Sequence, residues 1–118
     1  MPLRDAVRQW GNLGALVASL FLGDRALLSR SIEDVVAEPK RASLVPGFFA
    51  IKSAALAAGA LGCSLSGSGP SIFALANSVA DARVVGAAMQ QAFNEASPVG
   101  ADLWVSPVGR QGARLVRP

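Results

Sequence analysis

Ser66-Gly67-Ser68-Gly69-Pro70-Ser71 lies between two short apolar runs, Gly62 to Leu65 and Ser71 to Ala76. Glycine tolerates positive φ and leaves its backbone open to close approach, so Gly67 and Gly69 can turn successive N–H groups into one concavity, with Pro70 stiffening the exit. The hydroxyls of Ser66, Ser68 and Ser71 add donors on the same arc, and such a nest suits phosphate or carboxylate better than an apolar ligand. The same residue types also make an ordinary hairpin turn, and spacing alone leaves both readings open. A second candidate is Arg41, in the charged segment Glu38-Pro39-Lys40-Arg41. Its planar fork can take a carboxylate or phosphate in two parallel hydrogen bonds, which Lys cannot reproduce; the plainer alternative is a solvated connector between helices.

Other chemistry is bounded by what the chain lacks. There is no His, the commonest general base and metal ligand near neutral pH, and the single Cys63 permits no internal disulfide. Cys63 reads as a small buried strand residue, and no metal site is expected. The eleven Lys and Arg against eight Asp and Glu give +3. These cations are scattered apart from Arg110, Arg114 and Arg117 and are not interleaved with aromatics, which argues against a nucleic-acid face. The apolar stretch Leu13 to Leu22 is too short to span a bilayer and lacks the flanks of a signal peptide, so no membrane partner is expected and the cytoplasm is the expected compartment.

The elements that must position these residues follow from periodicity. At 118 residues and 52% hydrophobic content, the chain should fold as a single domain, 1–118. Val7, Trp10, Leu13, Val17, Leu20 and Phe21 mark one face of a helix over residues 4–22, which Gly23-Asp24 stops before a new cap. A second helix runs through Leu27, Leu28, Ile32, Val35 and Val36, with Arg30 and Asp34 paired at i,i+4. The two prolines of the 37–48 segment predict a loop, and a third helix then starts near Pro46 and ends at Gly59. After the hairpin, Asn77 or Ser78 caps a helix from Val79 to Ala96. The tail alternates around Leu103 and Val105, and Ala113 to Val116 is expected as a short closing strand. The sum is an α+β domain, an antiparallel sheet with helices on one face.

With both segments in place, the chain resembles the C-terminal domain of the homoserine kinase branch of the GHMP kinases. LGCSLSGSGPSIFALA is similar to the family's glycine- and serine-rich third motif, DVVAEPKRASLVPGF to the segment just before it, and GARLV to the closing strand. The resemblance covers roughly residues 3 to 117. It implies ATP-dependent phosphorylation of homoserine to O-phosphohomoserine, in threonine biosynthesis, with ATP and Mg²⁺ serving the complete enzyme and none expected on this chain alone. It further implies that Arg41 grips the substrate carboxylate and that Ser66, Gly67, Ser68 and Gly69 lie beside the phosphates and substrate. The family's nucleotide-binding loop has no counterpart here, so the chain reads as an inactive fragment carrying no catalytic residue, whose partner is the missing N-terminal domain. The implied fold is ferredoxin-like and lacks its first strand, which leaves strand edges to pair in a homodimer. The alternative is a stand-alone amino-acid-binding or structural association module.

Overall fold

A computed structural model describes residues 1–67 and 70–116. Helix α1, Leu3–Leu22, ends on Gly23 in the left-handed conformation (φ 66°). The Asp24 carboxylate then accepts the Leu27 N–H (2.9 Å) and starts α2, Arg25–Ser31. One turn of helix, α3 (Glu38–Arg41), and a 3₁₀ turn at Ala42–Leu44 lead into α4, Phe48–Ala57. Strands β1 (Gly62–Ser66) and β2 (Ser71–Leu75) pair antiparallel, with Ser66 opposite Ser71 and Gly62 opposite Leu75. Ser78 accepts the Asp81 N–H (3.0 Å) and caps α5, Val79–Ala96. The architecture is α+β, with a two-stranded antiparallel sheet among the described residues.

The core forms where α4 and α5 pack together and against the hairpin. Ala55, Cys63 and Val85 are buried there, with Ile72, Ala74 and Met89 around them. A second cluster, Ala42, Val45 and Phe48, seats the turns after α3 against Leu65 and Ile72. Both clusters touch Ile72, so the strand leaving the glycine-rich turn is tied to the segment that carries Arg41.

Three expectations require correction. The second helix stops at Ser31, because the Asp34 carboxylate accepts the backbone N–H groups of Val36 and Ala37 (both 2.8 Å) and closes a turn instead of extending the helix. Asp34 therefore forms no ion pair with Arg30. The 37–48 segment is largely helical turns, since Pro39 sits in the first turn of α3, where its missing N–H costs no hydrogen bond. The tail forms no strand among the described residues. It crosses α5 instead: the Ala101 carbonyl accepts from Gln90 Nε2 (3.0 Å), and Leu103 lies over Gly86, where even a Cβ would come within 2.8 Å of Leu103 Cδ1. The helix expected over residues 4–22 is present as α1, and its apolar face points outward, with Trp10 64% and Phe21 88% exposed. It is the polar face that packs: Asn12 Nδ2 donates to the Glu33 carbonyl (2.7 Å), Gln9 Oε1 accepts from the Val35 N–H (3.0 Å), and Arg8 pairs with Glu33. The Cα radius of gyration, 15.2 Å, exceeds the roughly 13.5 Å of a closely packed chain of this length.

Candidate functional site

Arg41 and the glycine-rich turn are 26 residues apart in sequence, and the fold brings them together: Arg41 Nη1 lies 3.4 Å from the Gly67 carbonyl, a long hydrogen bond. Arg41 ends α3 and is exposed, and among the described residues no carboxylate pairs with it. One of its five N–H donors is turned to the loop. A guanidinium so placed keeps the capacity for a planar, two-point grip on a carboxylate or phosphate.

The loop itself is set by the register of the hairpin. The Ser66–Ser71 pair closes the ladder, and Gly67 leaves it in the left-handed region (φ 61°), which a Cβ would disfavour. Ser66 and Gly67 are both exposed at the open end. Ser68 and Gly69, the other two residues expected in the anion nest, lie outside the described residues.

Beneath Arg41 lies a charged group that the sequence reading missed. Glu38, at the start of α3 and only 7% exposed, accepts from Lys52 Nζ of α4 (2.6 Å) and from Ser64 Oγ of β1 (2.8 Å). Lys52 Nζ also stands 5.9 Å from the centre of the Phe48 ring. Buried carboxylates persist only when paired and hydrogen-bonded, and Glu38 is both. The short apolar run of β1 carried no warning of this, since Ser64 resembles any small strand residue; the only signal was a Glu inside an otherwise turn-forming segment. Cys63, next to Ser64, is buried, and its thiol is pushed up to about 11, chiefly by desolvation, with Lys52 opposing and Glu38 adding to the rise. It is a packing residue.

Magnesium would need carboxylate oxygens turned to the open end of the hairpin. The two carboxylates on the Arg41 segment are committed elsewhere, Asp34 to backbone N–H groups and Glu38 to Lys52 and Ser64. This donor set does not fit the ion. Among the described residues no helix is long and apolar enough to cross a membrane.

A family model described as GHMP kinases C terminal matches residues 4–95. The chain is 59% identical over 117 residues to the homoserine kinase of Chlorobium phaeovibrioides, covering 98% of this chain and 37% of that protein. It is 55% identical to the homoserine kinase of Chlorobaculum tepidum, covering 98% and 36%. The crystal structure of homoserine kinase from Cytophaga hutchinsonii superimposes with a TM-score of 0.89 at 52% identity, over 95% of this chain and 35% of that one. The chain thus spans little more than a third of the length of these relatives. Matched over most of its length by the family model, and by a solved relative in three dimensions, the chain belongs to the GHMP kinase C-terminal domain family.

Proposed function

We propose that this chain is the substrate-side, C-terminal portion of a homoserine kinase. The observation that carries the reading is the meeting of Arg41 with the glycine-rich turn at Gly67, which puts a carboxylate-binding fork beside an anion-tolerant loop. In this reading Arg41 holds the α-carboxylate of homoserine through two parallel hydrogen bonds, and the residues from Ser66 to Gly69 flank the phosphates and the substrate. Anchoring the carboxylate fixes where the side-chain hydroxyl lies, and such positioning supplies much of the rate in phosphoryl transfer. The hydroxyl oxygen forms a bond to the γ-phosphorus of ATP as the bond to ADP breaks, and the hydroxyl proton is lost.

ATP and Mg²⁺ are assigned to the rest of the kinase, because the donors here do not fit the ion. No step is therefore assigned to this chain beyond binding and orienting the amino acid, and alone it is inactive. The outward apolar face of α1 is where the remaining two thirds of a kinase would pack, and the free edges of β1 and β2 are where a second copy would pair to form a homodimer.

The test is a chimaera in which this chain replaces the matching region of the Chlorobium phaeovibrioides homoserine kinase. Replacing Arg41 by Ala should raise the homoserine KM by on the order of a hundredfold, the scale of a lost charge-assisted bidentate contact, with little change in the ATP KM. Equal effects on the two substrates would refute the assigned role of Arg41.

A further inference from the structure

Helix α3 has four residues, too few to hold its own shape, since a single turn fixes several dihedrals for very few hydrogen bonds. Yet Arg41 is its last residue and must be held to meet Gly67. Its backbone is satisfied locally: the Ala37 carbonyl accepts from the N–H of both Lys40 (3.1 Å) and Arg41 (2.9 Å). The Ala42, Val45 and Phe48 cluster packs the residues after the turn against Leu65 and Ile72, and the polar tie of the turn itself is the side chain at its other end. Glu38 reaches Lys52 on α4 and Ser64 on β1, and Ser64 lies two residues before Ser66, where the glycine-rich turn begins. One carboxylate therefore locks the arginine-bearing turn to the strand that supplies the loop.

The charge matters as well as the geometry. Glu38 and Arg41 are three apart on one helical turn, a spacing at which a Glu and an Arg readily pair. Here Glu38 turns inward to Lys52, and Arg41 turns outward with no acidic partner among the described residues. Lys52 thus takes the carboxylate that would otherwise compete with a ligand for the guanidinium.

We propose that Glu38, neutralised by Lys52 and fixed by Ser64, is the positioning residue for the Arg41 guanidinium. Glu38 holds α3 against β1, and Lys52 keeps the internal carboxylate from occupying the substrate's place. This rests on the reading of Arg41 as the carboxylate-binding residue, so the test has two arms that fail separately.

In the first arm, amide hydrogen exchange is measured on the 118-residue chain itself. Glu38→Gln and Lys52→Met should each speed exchange at Lys40 and Arg41 by about tenfold or more, while the β1–β2 ladder changes little. Unchanged exchange at those two amides would overturn the positioning role whatever the kinase does. In the second arm the same substitutions enter the chimaeric kinase. The homoserine KM should rise on the order of ten- to a hundredfold with the ATP KM nearly unmoved, as expected when a reacting group is misplaced rather than a fold lost. Leu28→Ala, a truncation of a buried side chain on α2 outside both core clusters, serves as the control: it should lower the thermal midpoint without moving the homoserine KM. An active chimaera whose homoserine KM ignores Glu38→Gln and Lys52→Met would overturn the inference. A wild-type chimaera without activity would instead count against the kinase reading, and the exchange measurement would still decide whether Glu38 positions the turn.

Discussion

Replacing Gly62 by Ala should destabilise the domain by about 1–2 kcal/mol, the balance of two opposed terms. Gly62 opens β1, is buried, and does not need positive φ, so its backbone would accept an L-residue. Space is what forbids it. An added Cβ would lie 2.8 Å from Ile32 Cβ and 3.0 Å from Ile32 Cγ2, and nearer still to Cδ1. A rotamer change can swing Cγ2 and Cδ1 away but not Ile32 Cβ, so either the end of α2 or the start of β1 must shift. Overpacking of this kind costs about 1–3 kcal/mol, whereas restricting the unfolded chain returns about 0.4–1 kcal/mol. For a domain of this size the net loss corresponds to a fall of roughly 3–10 °C in the thermal midpoint. The assay is denaturant unfolding followed by circular dichroism, with the m-value checked for constancy. Ile32→Ala added to Gly62→Ala should recover only part of the loss, because the Cβ at position 32 remains. A Gly62→Ala variant as stable as the parent would refute the packing of α2 against β1, and with it the support that this contact gives to the strand bearing Ser64.

Three further expectations concern the buried thiol and the uncovered surfaces. The Cys63 thiol, raised to about 11 from an ordinary 9.0, should be alkylated in the folded chain at pH 8 at least a hundredfold more slowly than in urea; labelling at the unfolded rate would contradict its burial. Because the folded value is the higher one, the stability that a neutral thiol contributes is fully present below about pH 9. It is lost as pH climbs toward 11, by about 1.4 kcal/mol per unit at most, and Cys63→Ala should flatten that part of the pH profile. With large apolar side chains such as Trp10, Leu13 and Phe21 exposed on α1 and, among the described residues, no third strand on the hairpin, sedimentation should show concentration-dependent self-association of the isolated chain; a monomer at all concentrations would count against the proposed dimer.

Local chemistry was the legible part of this sequence. Gly23-Asp24 announced a helix stop and a cap, and Ser78 and the two strands fell where residue types placed them, because caps and short hairpins are decided by nearest neighbours. The juxtaposition of Arg41 with the glycine-rich turn came only through family resemblance, since nothing local links residues 26 apart. Other features escaped the sequence, all but one of them because they depend on partners distant in sequence or outside the chain. The exception is Asp34, whose spacing from Arg30 suggests a helix-surface ion pair, yet its carboxylate captures the backbone N–H groups of Val36 and Ala37, and a local turn wins over the helix. The alternation around Leu103 and Val105 looked like a strand, but a strand needs a neighbour to pair with, and Leu103 found the open face of Gly86 instead. The periodicity of α1 correctly gave a helix, whereas its apolar face is left exposed among the described residues; periodicity identifies a face to be buried, not what buries it. Glu38 was invisible for the same reason, as its partners lie 14 and 26 residues away.

The most direct test of the kinase reading is formation of O-phosphohomoserine, followed by phosphorus NMR in the presence of homoserine, ATP and Mg²⁺. It would be run on the 118-residue chain alone and on the chimaera carrying it in place of the matching region of the Chlorobium phaeovibrioides relative. The account expects product from the chimaera, none from the isolated chain, and a large loss with Arg41→Ala at low homoserine that excess homoserine restores. A folded chimaera that makes no product and binds no homoserine would contradict it, leaving the Arg41–Gly67 contact as a feature of the hairpin alone.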